Sequence, residues 1–316
     1  MLEYALRRTV YGILVVFAVI VMVFLALHAV PGDPVRAQLA DAPGVTDAEV
    51  ARRSAQLGLD KPLFSQLLTF VGGVFTGNLG RSFVDNRSVM SEIGERLPVT
   101  LQLGVMALII SIILGFIMGM AAAVRQNTLL DHSLRVVSVS GLSIPNFWLA
   151  LLMVTYFAIY LGWSPPLVYQ SPTEDLGNNL SQTILPAVAL GVAGMAGTAR
   201  LLRSSLLEVM QSNFIRTVRA RGASRATVLL KHATRNSILP VFTVLGLQVG
   251  AILGGTVILE SIFSIPGLGL LVFRAVQERD YPVVMGCVIV YATVFVVVNL
   301  IVDLAYGLID PRVRYR

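Results

Sequence analysis

The chain has 316 residues, of which 55% are hydrophobic and 13% charged, with a mean hydropathy of +0.77 and a formal net charge of +6. A soluble domain carries about 25% charged residues, so most of this surface faces something other than water, and a soluble globular protein is excluded. The single cysteine, Cys287, leaves no intramolecular disulfide and no thiolate metal site.

A helix needs about 20 apolar residues to cross roughly 30 Å of hydrocarbon. The first such run, Thr9–Val30, follows Arg7 and Arg8. It is longer than the usual 7–15-residue core of a cleaved leader and no A-x-A site follows it, so it is expected to be a retained helix. Next, Pro31–Thr100 combines a helical pattern at Asp47–Leu57 with Gly/Asn turns such as Thr76–Gly80, and predicts a small helical cap. Leu101–Val124 is the second span, with Gly115 and Gly119 at the small-xxx-small spacing that lets helices approach closely in lipid. In the third, Val136–Leu161, Ser140, Ser143 and Asn146 share a broad face and Pro145 predicts a kink. The fourth, Thr183–Ala199, is short and rich in Gly and Ala.

After it comes a basic island, Arg200–Arg235, holding eight of the twenty-four Lys and Arg residues. Leu201–Met210 extends the fourth helix, and Ser212-Asn213 offers a break and an N-cap. A short helix from Phe214 then places Ile215, Val218 and Ala220 among Arg216, Arg219 and Arg221, and ends at Gly222. A second helical stretch, Arg225–Arg235, leads back to Pro240. The fifth span, Asn236–Leu259, carries Gly246, Gly250 and Gly254 at every fourth residue, with Gln248 and Thr256 as its polar positions. Glu260–Asp280 is apolar but punctuated by Pro266, Gly267 and Gly269. It reads either as a segment re-entering the membrane surface or as a short interfacial helix. Tyr281–Val302 is the sixth span.

With the N-terminus inside, the four inner segments hold 15 Lys and Arg and the three outer ones hold 9, the orientation favoured by the positive-inside rule. The net positive charge then follows from topology and gives no reason to expect nucleic acid. None of the six apolar runs contains Asp, Glu, Lys or Arg. Ion-coupled transporters and pumps place ionisable residues inside the bilayer, so transport here is expected to be driven from elsewhere. Enzyme motifs are missing too: His28, His132 and His232 form no H-E-x-x-H pair, and neither Lys61 nor Lys231 follows a glycine as a P-loop requires. From residues alone, the polar groups of the spans either line an aqueous path or bond to neighbouring helices. The basic helix binds either anionic lipid or a groove on a soluble partner. A secondary transporter and a membrane scaffold stay open as rival readings.

The island resembles the EAA-type cytoplasmic loop of ATP-binding-cassette importer permeases, in the variant of the dipeptide, oligopeptide and nickel permeases. The matching stretches are Val218-Arg-Ala-Arg-Gly222 and His232-Ala-Thr-Arg-Asn-Ser-Ile-Leu-Pro240. The acidic residue of the general pattern is replaced by Arg216, so its contact is not carried over. Further similar stretches are LRRTVYGILVVF, HAVPGDPVR, GNLGRSF, ERLPVTLQL, LSIPNFWLALL, IFSIPGLG and DLAYGLIDPRVRY; their shared order is more specific than any one of them.

The resemblance implies an all-α integral membrane protein with six transmembrane helices, a MetI-like importer core plus an N-terminal helix, and both termini cytoplasmic. It divides the chain into 1–30, an outer segment 31–100, the core 101–307 with its coupling loop 200–235, and a basic tail 308–316. It implies a non-catalytic pore subunit that binds no cofactor, ATP and Mg being held by one or two separate ABC ATPase subunits. A second homologous permease and an extracytoplasmic solute-binding protein complete the assembly. Arg216, Arg219, Ala220, Arg221 and Gly222 would meet the ATPase. Ser143, Asn146 and Gln248 would lie on the path, and Phe263, Pro266, Gly267 and Leu268 would form an outer gate or binding-protein contact. Cargoes within such a family include dipeptides, oligopeptides, nickel complexes and haem.

Overall fold

The computed structural model describes residues 2–32, 35–36, 46–56 and 58–309. Residues 310–316, most of the expected basic tail, fall outside the described set, as does Leu57 at the end of the expected Asp47–Leu57 helix. The regular elements named among the described residues are helices: α1 Leu2–His28, α2 Asp47–Gln56, α3 Leu63–Phe75, α4 Val89–Val124, α5 Leu129–Ser143, α6 Asn146–Leu161, α7 Leu176–Met210, α8 Asn213–Ala220, α9 Arg225–Phe263, α10 Leu268–Gln277 and α11 Tyr281–Ile309. Five of these (α1, α4, α7, α9 and α11) are long and apolar enough to cross a membrane.

Taken together, α5 and α6 make a sixth candidate span, and the kink expected at Pro145 is there a full break. The two helices meet at 106° across Ile144-Pro145. Pro145 supplies no backbone donor and pushes the residue before it out of the α region; Ile144 is accordingly extended, at φ −82°, ψ 122°. By contrast, Pro98, Pro186 and Pro240 sit inside unbroken helices.

The chain forms two compact units, one of residues 1–5, 101–265 and 298–316, the other of 6–100 and 266–297. In the first, α7 is the central helix. It is the least apolar of the spans, yet 61% of its most apolar stretch is buried, against 17% for α1. A helix surrounded by protein gains from small residues that admit close packing, whereas one facing lipid needs large apolar side chains. A Cβ at Gly115 would lie 2.7 Å from the Thr198 Cβ, and one at Gly119 2.7 Å from the Ala199 carbonyl, so these glycines of α4 seat it against α7. The α9 stripe is only partly a packing surface. Gly246 meets Val302 and Asn299, Gly254 faces open space, and Gly255 instead makes the close contact, a Cβ there falling 2.6 Å from the Asn146 amide nitrogen.

In the second unit, Leu79, Val89, Ile93, Leu268, Leu271, Val283, Val284 and Cys287 form a shared core. α10 is the short packed helix that the Glu260–Asp280 stretch admitted as one reading: Leu268 is fully buried, and its backbone N–H donates to Thr100 Oγ1 at 2.8 Å. Asp280 is 2% exposed and accepts from Ser82 Oγ at 2.5 Å and from the Phe83 N–H at 3.1 Å, which fastens the loop before α4 to the start of α11. Phe24 stacks on His28 with centroids 4.1 Å apart, and Phe24, Phe83, Tyr281 and Met285 make a second cluster.

Candidate functional site

The basic island folds as the residue pattern requires. α7 runs on to Met210, and Ser212 caps α8, its Oγ accepting from the Ile215 N–H at 3.4 Å. Ser and Asn before an amphipathic turn satisfy backbone donors that the helix leaves free. Ile215 is fully buried in a cluster with Leu202, Leu206, Val228, Ala233 and Val241, and Val218 packs at its edge. Arg216, Arg219, Ala220, Arg221 and Gly222 are all exposed. α8 therefore has one face bolted to the bundle and three guanidiniums turned outward.

The turn after α8 depends on Gly222. Its φ is +81°, a region costly for L-residues with a Cβ. Its N–H closes the turn by donating to the Arg219 carbonyl at 2.9 Å. Ser224 then caps the next helix, accepting from the Thr227 N–H at 3.2 Å. Residues Val228–Ala233 make a π-helical turn that places Val228 and Ala233 in the same cluster as Ile215. Phe214 lies edge-on to His232 at 5.9 Å.

The three residues singled out for the path are separated. Ser143 is exposed, and its hydroxyl donates to the Val139 carbonyl of its own helix at 2.9 Å. Asn146 is partly buried at the start of α6, its Oδ1 accepting from the Phe147 N–H at 2.8 Å and its amide nitrogen close to Gly255. Gln248 is 9% exposed and fully engaged. Its Oε1 accepts from Ser111 Oγ, and its Nε2 donates to the Gly194 carbonyl and to Thr198 Oγ1, all at 2.9 Å. Gln248 thus ties α9 to α4 and α7. Phe263 closes α9 at 8% exposure; Leu268 opens α10 after Pro266 and Gly267 and is buried.

Two polar arrangements were not anticipated from the residues. Gln102 of α4 donates to Asn179 of α7 and accepts from Tyr169 Oη at 3.4 Å, and Asn179 donates to the Gln170 carbonyl at 2.8 Å. Asp131 of α5 is fully buried and takes both a guanidinium Nε and an NH2 of Arg203 at 2.8 Å, plus the Asn127 N–H at 3.0 Å. A lone acid in a basic connection was the available signal for the second. Nothing in spacing pointed to its partner 72 residues away. Among the described residues no cluster of His, Cys, Asp or Glu could hold a metal ion.

The chain as a whole is similar to known proteins. Residues 111–315 match the family described as the binding-protein-dependent transport system inner membrane component, and residues 1–104 match the N-terminal region of such membrane components. The chain is 38% identical to a dipeptide transport system permease protein, DppB, of Alkalihalophilus pseudofirmus, with 100% of both chains covered. It is also 38% identical to a di/tripeptide transport system permease protein of Pseudomonas aeruginosa, and to a glutathione transport system permease protein of Escherichia coli, again over 100% of each chain. Among solved structures it is similar to the inward-facing MetNI methionine ABC transporter. There the TM-score is 0.53 at 17% identity, over 70% of this chain and 97% of the other, which establishes a common fold. An all-helical chain with this span count, matched from end to end by permeases, belongs to the binding-protein-dependent transport family, as a non-catalytic inner-membrane permease component of an ABC importer.

Proposed function

We propose that this permease is one of two homologous subunits lining the pore of a peptide importer, and that it carries di- or oligopeptides delivered by an extracytoplasmic binding protein. The cargo reading rests on the relatives, whose names specify dipeptides, di/tripeptides and glutathione, itself a tripeptide. α8 is the coupling helix. Arg216, Arg219, Ala220, Arg221 and Gly222 meet a separate ATPase subunit, which holds ATP and Mg. The observation that carries this is the division of α8 into a buried side at Ile215 and an outward row of arginines. Force applied to the exposed side reaches α7 and α9 through the Ile215 cluster. For ATP to drive alternation, the ATPase must bind the coupling helix differently in two pore states.

In this reading both termini and the island are cytoplasmic, in keeping with the positive-inside bias. The outer segment 31–100, with Phe263, Pro266, Gly267 and Leu268, faces the binding protein. Ser143, Asn146 and Gln248 border the path, Gln248 as the bracket that holds the surrounding helices in register. The exposed apolar residues of α5 and α6, among them Val136, Val139, Trp148 and Tyr156, are left for lipid and the second permease. The test is ATP-driven uptake by the reconstituted transporter, challenged with a panel of di-, tri- and oligopeptides, nickel and haem. Competition by short peptides alone supports the reading. Competition only by a non-peptide solute refutes the cargo, and uptake unaffected by Arg219→Glu refutes the coupling role.

A further inference from the structure

Where α4, α5 and α7 come together, a slot of about 120 Å3 is lined by Met118, Leu134, Val139, Leu142 and Ala199 together with Arg135, Arg200 and Arg203; along α5, Leu142 lies about two turns from Arg135, which gives the slot an apolar and a charged end. Its charges do not balance. Asp131 is the nearby acid, and Arg203 and the Asn127 N–H already occupy its oxygens at 2.8–3.0 Å. Arg135 reaches that carboxylate only at 3.6 Å, has its NH2 nitrogen 2.6 Å from His132 Nδ1, and is 47% exposed, while Arg200 has no acidic partner among the described residues. The two hydroxyls at the slot, of Ser138 and Ser204, donate to carbonyls of their own helices. The donors left over are therefore those of Arg200 and the guanidinium N–H groups of Arg135 that do not face His132, which suit an anionic oxygen ligand.

The slot is too small for cargo, since pockets that enclose whole small ligands hold roughly 300–1,000 Å3. It suits the head of a ligand whose remainder lies elsewhere. Val139 and Leu142, at 60% and 47% exposure, continue its apolar end onto the open surface of α5. The charged end lies where the apolar run of α7 meets its first arginine, Arg200, which is the depth of lipid headgroups. Basic pockets between transmembrane helices recognise such headgroups.

We propose that this slot binds one anionic phospholipid, its phosphodiester held by Arg135 and Arg200 and an acyl chain lying along Val139 and Leu142. The lipid spans α5 and α7 beside the Asp131–Arg203 pair, adding a second link between the broken span and the helix that leads into α8.

The test is lipid retention, independent of cargo. The transporter, purified with its partner subunits from vesicles of phosphatidylcholine and phosphatidylglycerol, is examined by native mass spectrometry. Wild type is expected to retain phosphatidylglycerol selectively. Each basic side chain near an anionic headgroup contributes about a five-fold preference, so Arg135→Gln/Arg200→Gln lowers retention about 30-fold while the Asp131–Arg203 pair stays intact. Leu142→Trp, which fills the apolar end and leaves the charges, also abolishes retention; Arg225→Gln, on the island but away from the slot, does not. Retention in the double variant within about two-fold of wild type overturns the proposal, as does equal retention of phosphatidylcholine by wild type or a slot that retains no lipid because protein covers it.

Discussion

Replacement of Gly222 separates a conformational requirement from a steric one. No atom lies within 4 Å of the position a Cβ would take, and φ is +81°. A side chain there meets no neighbour, and its whole cost is torsional. For an L-residue that cost is roughly 1–2 kcal/mol, with Asn tolerated best. This shifts the balance between the observed turn and competing turns by about 5- to 30-fold. Gly222→Asn is therefore expected to behave nearly as wild type, Gly222→Ala to be impaired by a factor in that range, and Gly222→Val to be worst, since a β-branched residue fits the left-handed region least. Because Ile215 and Val228 anchor both sides of the turn in the buried cluster, all three variants should insert and accumulate normally. The assay is co-purification of the ATPase with the tagged permease, followed by ATP-driven uptake in proteoliposomes. Wild-type coupling in Gly222→Val would refute the reasoning. So would an Asn variant as impaired as the Val variant, because the defect would then come from occupied space or lost backbone approach and not from φ.

Arg219→Glu reverses an exposed charge in the last turn of α8, so it should change thermal stability by no more than about 0.5 kcal/mol while uncoupling uptake. A large fall in melting temperature would show a structural role instead. Gln248→Leu leaves Ser111, Thr198 and the Gly194 carbonyl without their shared partner. At about 0.6 kcal/mol for each intramembrane hydrogen bond, roughly 2 kcal/mol of stability is lost, read as a lower unfolding midpoint in detergent. Unchanged stability with lost uptake would mark Gln248 as a contact for cargo. Asp131→Asn unpairs Arg203, for which a buried pair predicts about 3–5 kcal/mol; Arg203 keeps 18% exposure, so the lower end is expected. Asp131→Asn/Arg203→Gln should cost less than the two single changes added together in thermal melts, and strict additivity would exclude the direct pair. Asp280→Ala removes the acceptor for Ser82 and the Phe83 N–H and should cost about 1–3 kcal/mol, with faster protease cleavage between Asn78 and Ser88. Cleavage at the wild-type rate would show that other contacts hold this loop.

Much of the island was legible because local rules govern it. Ser212 as cap, alternation of Ile215 and Val218 with arginines, and a glycine stop are all properties of a few neighbouring residues. The apolar runs were legible for the same reason, although run ends and helix ends differ. α4 begins at Val89, with Glu92, Glu95 and Arg96 in its first turns, because helical hydrogen bonding continues past the hydrocarbon boundary. Pro145 could be seen to disturb the third span. The 106° turn could not, since Pro98, Pro186 and Pro240 have the same local chemistry and leave their helices unbroken. The roles of the polar residues were the least legible part. Ser143 and Gln248 looked equivalent as polar positions in apolar runs, yet one bonds its own helix on an exposed face and the other joins three helices in the interior.

By itself the sequence determined what depends on composition and short range: residence in a membrane, the apolar spans, the capped basic helix between two of them, and the family, through the order of its matching stretches. Tertiary structure alone decided which helix is central, which glycines are contacts, and which polar groups meet. α7 shows why. Its modest apolarity makes it the weakest span when read alone, but in the bundle its small residues admit α4 at Gly115 and Gly119, and Arg203 finds Asp131 on α5. A side chain in lipid is selected for its own solubility, whereas one inside a bundle is selected for a neighbour remote in the chain. Only the fold identifies that neighbour.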